Sequence, residues 1–343
     1  MNRRVFVLML CGAVLRAAPA RAELVVGDDA PRLEQGEYLR GEPVQAFEKG
    51  KVYVVEMWAT WCGPCVQAMP HVAELQQKYA DKGLVVIGQD VWERDEAKVK
   101  PFVNQMGPKL TYRIAMDKRA NSAAGAMAET WMEAAGQDTI PCSFIVNREG
   151  KIAWIGHPMV MDEPLADVIA GKYDLARARD QHVRHLAWWK QTKALEHLAH
   201  EGKWAEALAK LDEMEKADEK GAKEFAPVRY RALVETKQPE KAAALVEAAL
   251  TSVKDDGRRA VRVADVAFEL KDYGATLRLA TAAAPHAEEL AYYAYLLEGF
   301  VHAAQKNWDK AIEAQKNSVK AAPDGARRRM EQILQGYEQK ARN

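Results

Sequence analysis

Apolar residues along this chain follow two rhythms, and the change comes near residue 176. Before it, short apolar runs rich in β-branched and aromatic side chains alternate with amphipathic stretches. After it, such runs vanish, alanine becomes dense and apolar positions recur at helical spacing. In the first part, Lys51–Trp58 and Leu84–Val91 predict buried strands, and Thr111–Met116 a shorter one. Pro64–Tyr79 predicts a helix interrupted by Pro70, whose missing N–H favours a kink. Glu93–Met106 predicts a charged amphipathic helix stopped by Gly107-Pro108, and Ala120–Ala135 a small-residue-rich helix closed by Gly136. Cys142–Val146 and Lys151–Ile155 flank Asn147-Arg148-Glu149-Gly150, a hairpin signal. Asp162–Ala170, capped by Gly171, predicts a last helix, while the lead-in with Gly27, Pro31, Gly36, Gly41 and Pro43 reads as loop. Strands alternating with helices and ending in a hairpin predict a mixed sheet covered by helices on both faces.

The second rhythm contains a repeat. Four segments share an aromatic or proline, two residues, then a small residue: Trp204…Ala207, Pro239…Ala242, Tyr273…Thr276 and Trp308…Ala311. Their first positions are separated by 35, 34 and 35 residues. The last copy adds Tyr295, Gly299 and Pro323, and the first Gly202. The stretch resembles tetratricopeptide repeats, with a generic helical bundle as the plainer alternative. The resemblance implies stacked helical hairpins, a concave surface for a protein or peptide, and a capping helix over Ala326–Ala341.

Length and composition adjust this picture in three places. A chain of 343 residues fits two domains better than one. Its formal net charge of zero gives no reason to expect nucleic acid or an anionic membrane surface as a partner. Its start is not part of either domain: Arg3 and Arg4 precede the apolar segment Val5–Leu15, and Ala18-Pro19-Ala20 and Ala20-Arg21-Ala22 fit small-x-small cleavage sites. Residues 1–22 therefore read as a secretory signal peptide cleaved near Ala20 or Ala22, with a retained membrane anchor as the alternative. The expected organisation is 1–22 signal peptide, 23–175 α/β domain, and 176–343 helical-repeat domain, in an exported, periplasmic or otherwise extracytoplasmic protein.

Removing that segment takes Cys11 with it and leaves Cys62, Cys65 and Cys142. One pair and a leftover thiol are too few for a disulfide framework or a zinc site. His182, His185, His197 and His200 form two His-x-x-His pairs on a polar helical stretch, read as solvated, so no metal site is expected. The informative spacing is Trp61-Cys62-Gly63-Pro64-Cys65, which follows a strand and opens a helix. Two thiols so spaced can close into a small disulfide, and the helix start favours a thiolate at the first.

The motif Trp58-x-x-Trp61-Cys62-Gly63-Pro64-Cys65, Pro70 five residues on, and Ile140-Pro141 before a strand resemble the thioredoxin superfamily. Within it they are most similar to the exported TlpA-like thiol–disulfide oxidoreductases, over roughly residues 30–175. The resemblance implies that Cys62 attacks a client disulfide and that Cys65 resolves the mixed disulfide, the steps running in either direction. It implies that Glu56, an acid interrupting an apolar strand, is buried, has a raised pKa and exchanges a proton with Cys65. It implies a cis Pro141, with Trp61, Gly63, Pro64, Ile140 and Pro141 forming the surface a client meets. No lysine in Leu84–Val91 stands ready to partner Glu56. Cys142 departs from the usual Thr, Ser or Ala, and is either a buried small residue or an accessory thiol. No bound cofactor is implied; electrons pass to or from the dithiol of a partner protein. Two rival readings are a helical-repeat scaffold with a vestigial redox centre and a peroxiredoxin-like peroxidase. The second wants Thr where this chain has Ala59, with Thr60 displaced by one.

Overall fold

The protein is described by a computed structural model covering residues 23–119 and 123–342. The expected signal peptide and its cleavage sites lie outside the described residues, as do the first three positions of the expected Ala120–Ala135 helix. Two compact units divide between Leu186 and Ala187, within the helix Leu175–His200, eleven residues beyond the boundary expected from the change of rhythm.

The first unit is built on a six-stranded mixed sheet. Its strands are β1 Gln35–Arg40, β2 Val52–Trp58, β3 Leu84–Asp90, β4 Arg113–Asp117, β5 Cys142–Val146 and β6 Ile152–Gly156, in the order β1-β4-β3-β2-β5-β6. Strand β2 runs parallel to β3 and antiparallel to β5, and every residue of β2 and β3 is buried. Burial on both faces explains why these strands read as continuous apolar runs. Side chains alternate between the faces. Val52, Val54 and Trp58 pack with helices α1 (Gly63–Tyr79), α2 (Val99–Met106) and α3 (Asp162–Ala170) through Met69, Val72, Val103, Leu165 and Ile169. Tyr53, Val55 and Met57 face the other layer, where Trp131 and Met132 of a wide-turned π-helix, Ala128–Glu133, meet Phe144.

Three expectations are corrected here. The lead-in contains a strand: β1 pairs with β4 as a half-exposed edge with two register shifts. Its sequence, Gln-Gly-Glu-Tyr-Leu-Arg, is polar because one rim of an edge strand faces solvent, so it carries no apolar signature. The helix expected from Glu93 starts as a single turn at Glu96 and becomes α-helical only at Val99. The reason is Asp95, whose carboxylate accepts from the Ala97 N–H at 3.2 Å, while Glu93 is drawn inward by other donors. The small-residue helix is short and wide, and Asp117 fixes where its first turn starts by accepting from Met127 N–H at 2.8 Å and Ala128 N–H at 3.0 Å.

The second unit is helical. The helix Leu175–His200, here α4, enters it and is followed by α5 Trp204–Ala217, α6 Glu219–Ala222, α7 Ala226–Glu235, α8 Pro239–Thr251 and α9 Gly257–Glu269. Helices α10 Tyr273–Ala283, α11 Ala291–Ala304, α12 Trp308–Ala321 and α13 Asp324–Arg342 complete it. Its core is alanine-rich, with Leu233, Val246, Val261, Leu279 and Leu297 as the larger contributors. Helices α5, α8, α10 and α12 begin at residues 204, 239, 273 and 308, intervals of 35, 34 and 35. The small residues three places on, Ala207, Ala242, Thr276 and Ala311, are all buried.

Each of these four helices is entered through the same turn. Gly202, Lys237, Lys271 and Lys306 are left-handed, with φ of 69°, 57°, 62° and 59°. In each turn the left-handed residue's N–H bonds three residues back, and the next N–H bonds five back, as Asp272 N–H does to the Ala267 carbonyl at 2.8 Å. This is the Schellman closure, and it favours glycine because a Cβ is strained there. Lys237→Gly, Lys271→Gly and Lys306→Gly are therefore expected each to stabilise the protein by about 0.5–1 kcal/mol. Denaturant unfolding measures this, and a loss of stability would contradict the assignment of strain to these turns.

Candidate active site

The site starts where β2 ends. The chain leaves Trp58, turns, and enters α1 with Cys62 as its N-cap at φ −86° and ψ 95°. Pro64 in the first turn suits a position whose N–H needs no intrahelical partner. The Cys65 N–H donates to Cys62 Sγ at 3.2 Å, so the first sulfur sits on the free end of the helix. Cys62 and Cys65 form a disulfide, with Cα atoms 5.2 Å apart. Cys65 is wholly enclosed and Cys62 is 4 % exposed, less open than its place in the motif suggests, yet the one of the two with a path to solvent. Gly63 and Pro64 are exposed beside it, and a Cβ on Gly63 would meet nothing within 4 Å.

The residues expected to surround the pair divide into those beside it and one that is not. The Ile140–Pro141 peptide is cis, and the Ile140 carbonyl oxygen lies 3.7 Å from Cys62 Sγ. Trp61 is 41 % exposed, its indole N–H donating to the Trp92 carbonyl at 3.0 Å and its ring 4.4 Å from the Arg94 guanidinium. Cys142 is not on this side. It opens β5 one residue out of phase with Ser143 and packs with the far cluster of Met57, Phe144 and Trp131, whereas Cys65 packs with the near one. Burial, with the Glu56 charge as a smaller contribution, pushes its thiol up to about 12, so it is no thiolate near neutral pH. The structure thus gives Cys142 the geometry of a buried small residue.

Glu56 is fully buried in the middle of β2, on the face that carries Trp58 and α1. Its Cα partners are Gly88 on β3 and Ser143 on β5, and neither carboxylate oxygen has a protein partner. Burial pushes its pKa up to about 8, so the group holds a proton at neutral pH and can release it slightly above.

Two acids here lacked a sequence signal. Asp90, at the end of β3, is pushed up to about 8 by burial and then by the charge of Glu93, with Arg119 opposing. Glu93 accepts from the Thr60 N–H at 2.8 Å and the Arg94 N–H at 2.9 Å, tying the turn before Cys62 to the loop after β3. In that loop Trp92 is held left-handed at φ 53°. From sequence, both acids look like the polar end of a strand and the first turn of a helix. Among the described residues, no three His, Cys, Asp or Glu side chains come together as a metal site.

Comparison with known proteins agrees with this geometry. Residues 25–167 match the Redoxin family. The chain is 30% identical over 158 residues to protein FixW of Rhizobium leguminosarum, a stretch covering 44% of this chain and 69% of FixW. It is 33% identical over 156 residues to the thiol-disulfide oxidoreductase ResA of Bacillus thuringiensis subsp. konkukian, covering 44% of this chain and 83% of ResA. Among solved structures, a thiol-disulfide isomerase from Corynebacterium glutamicum aligns with 42% of this chain and 97% of its own at 21% identity and a TM-score of 0.36.

The buried acid has a consequence for stability. With a folded pKa near 8 against an ordinary value of 4.5, Glu56 binds its proton more tightly in the folded chain. Its contribution therefore worsens as pH rises through that window and is fully unfavourable above it. Glu56→Gln is expected to match the parent's stability near pH 4 and exceed it by roughly 5 kcal/mol at pH 9. Unfolding of both proteins at the two pH values measures this, and a gain independent of pH would remove Glu56 as a raised acid.

Proposed function

This chain belongs to the TlpA-like branch of the thioredoxin superfamily and is a thioredoxin-type thiol–disulfide oxidoreductase; on that premise we propose that it is exported, acts on protein clients through Cys62, Cys65 and Glu56, and selects or holds partners with its helical second half. The observation that carries the reading is the Cys62–Cys65 disulfide set on the N-terminus of α1 beside a cis Ile140–Pro141 peptide.

In the reducing direction the dithiol form starts with a Cys62 thiolate, stabilised by the Cys65 N–H and the helix terminus. The thiolate attacks one sulfur of a client disulfide; a Cys62–client S–S bond forms and the client's other sulfur leaves as a thiolate. The Cys65 thiol passes its proton to the Glu56 carboxylate, and the new Cys65 thiolate attacks Cys62 Sγ. The client's second sulfur leaves, the client gains two electrons, and the Cys62–Cys65 disulfide is restored. In the oxidising direction each step runs in reverse. Trp61, Gly63, Pro64 and the half-buried Ile140 form the surface a client meets, Pro141 being buried beneath it rather than part of it as expected, and an extended client segment beside Ile140 would find backbone groups there. A partner protein's dithiol or disulfide returns the pair to its starting state.

Export is supported by Arg3 and Arg4 followed by the apolar Val5–Leu15 and the small residues Ala18, Ala20 and Ala22. Among the described residues, no helix is long and apolar enough to cross a membrane. The domains we assign are residues 1–22 as signal peptide, 23–175 as the redox domain and 176–343 as tetratricopeptide-like repeats. The recurrence of helix starts at 204, 239, 273 and 308 supports the last, as does the recurrent turn before each. Arrays of such hairpins bind peptides or proteins.

Insulin reduction with dithiothreitol as electron source tests the reaction. Cys62→Ser is expected to fall to the uncatalysed rate, and Cys65→Ser to accumulate a mixed disulfide with the insulin chain at Cys62. Full turnover by Cys62→Ser would overturn the assignment.

A further inference from the structure

The row of residues across the sheet at Glu56 is unusual in size. Glu56 is flanked by Gly88 on β3 and Ser143 on β5, so the two neighbouring strands leave room beside its carboxyl group. That room is taken by side chains from elsewhere. A Cβ on Gly88 would lie 2.8 Å from Ile114 Cδ1, 2.9 Å from Tyr112 Cε2 and 3.3 Å from Trp58 Nε1. The Tyr112 ring, which enters from just before β4, thus reaches the position directly beside Glu56.

What gathers there is polar. Both Glu56 carboxylate oxygens, the Tyr112 hydroxyl, the Ser143 hydroxyl and the Trp58 indole N–H are buried without a partner in the protein. A buried polar atom without a partner is rare and asks for an explanation. Five around one row of a sheet, among which Tyr112 is only 3 % exposed, form a polar pocket within an otherwise apolar core.

We propose that Tyr112 is the positioning residue for Glu56: its hydroxyl donates to the Glu56 carboxylate through one bridging water and stabilises the charge that appears when Glu56 gives up its proton. The inference rests on the reading of Glu56 as the proton acceptor for Cys65. Tyr112 stays a neutral phenol throughout, held well above the usual phenol range by burial and then by the Glu56 charge. The proton moves between Cys65 Sγ and Glu56 alone, and no electron passes through the tyrosine. The titratable groups that feel the Glu56 charge are Tyr112, on the same face of the sheet, and Cys142, across the sheet on β5, while the disulfide-bonded Cys62 and Cys65 head α1 over the Tyr112 face. None is cationic, and burial alone accounts for the rise of Glu56. A neutral hydroxyl here does the work of a cationic partner, at the site where β3 offers none.

A donor to the charged form lowers an acid's pKa, so its removal raises it. Tyr112→Phe is expected to move the pH midpoint of insulin reduction upward by about one pH unit and slow it about tenfold at pH 7. The infrared carboxyl band of Glu56 should titrate upward with it. In a Glu56→Gln background Tyr112→Phe should change neither rate nor profile. Gly88→Ala, which keeps the hydroxyl but forces the ring that carries it to shift, should move the midpoint in the same direction. An unchanged midpoint in Tyr112→Phe, or an equal shift in the Glu56→Gln background, would overturn the proposal. Loss of the profile's dependence on Glu56, or activity in Cys62→Ser, would instead overturn the reading of the site on which it rests.

Discussion

One hydrogen bond orders the first unit: the Cys65 N–H donates to Cys62 Sγ at the open end of α1. A sulfur in that position is stabilised as an anion by peptide groups that have no other partner. The effect fades within a helical turn, so it works only if α1 is fixed in place. Met69, Val72 and Leu75 fix it by packing on Val54 and Trp58 of the central strand. The cis Ile140–Pro141 peptide completes the arrangement by bringing the Ile140 carbonyl beside the same sulfur. Core, helix and loop all converge on Cys62.

Against this stands a cost. A carboxyl group in the centre of a fully buried strand is expensive to ionise, and Glu56 answers by keeping its proton to about pH 8. The small flanking residues Gly88 and Ser143 give it space, and the Tyr112 hydroxyl gives it a donor. Stability at alkaline pH is thereby exchanged for an ionisable group held out of solvent, the one we propose as proton acceptor for Cys65.

The parts of this arrangement that were legible in the sequence are those encoded locally. Strands β2 and β3 announce themselves as apolar runs because both their faces are covered, and α3 ends at a left-handed Gly171 with Asp162 and Glu163 in its first turn. The Trp-Cys-Gly-Pro-Cys turn and Ile140-Pro141 are short motifs readable without knowing their neighbours. What was hidden depends on pairing between distant segments. Strand β1 is polar and exists because β4 lies beside it. Glu93 and Asp117 spend their carboxylates on distant N–H groups and so displace two helix starts. The side of the sheet on which Cys142 falls follows from its register with Met57, one residue out of step with Glu56. Tyr112 belongs to the site only because Gly88 is its neighbour in the folded sheet.

The central claim is that the helix terminus makes Cys62, and not Cys65, the reactive thiol. It is tested most directly by reducing the protein and following alkylation of each cysteine by iodoacetamide across pH, with the sites read by mass spectrometry. The account predicts that Cys62 is alkylated first, with an apparent pKa well below the value of about 8.5 for a free thiol, while Cys65 stays protected. Equal alkylation of the two, or a Cys62 pKa at or above that value, would contradict it.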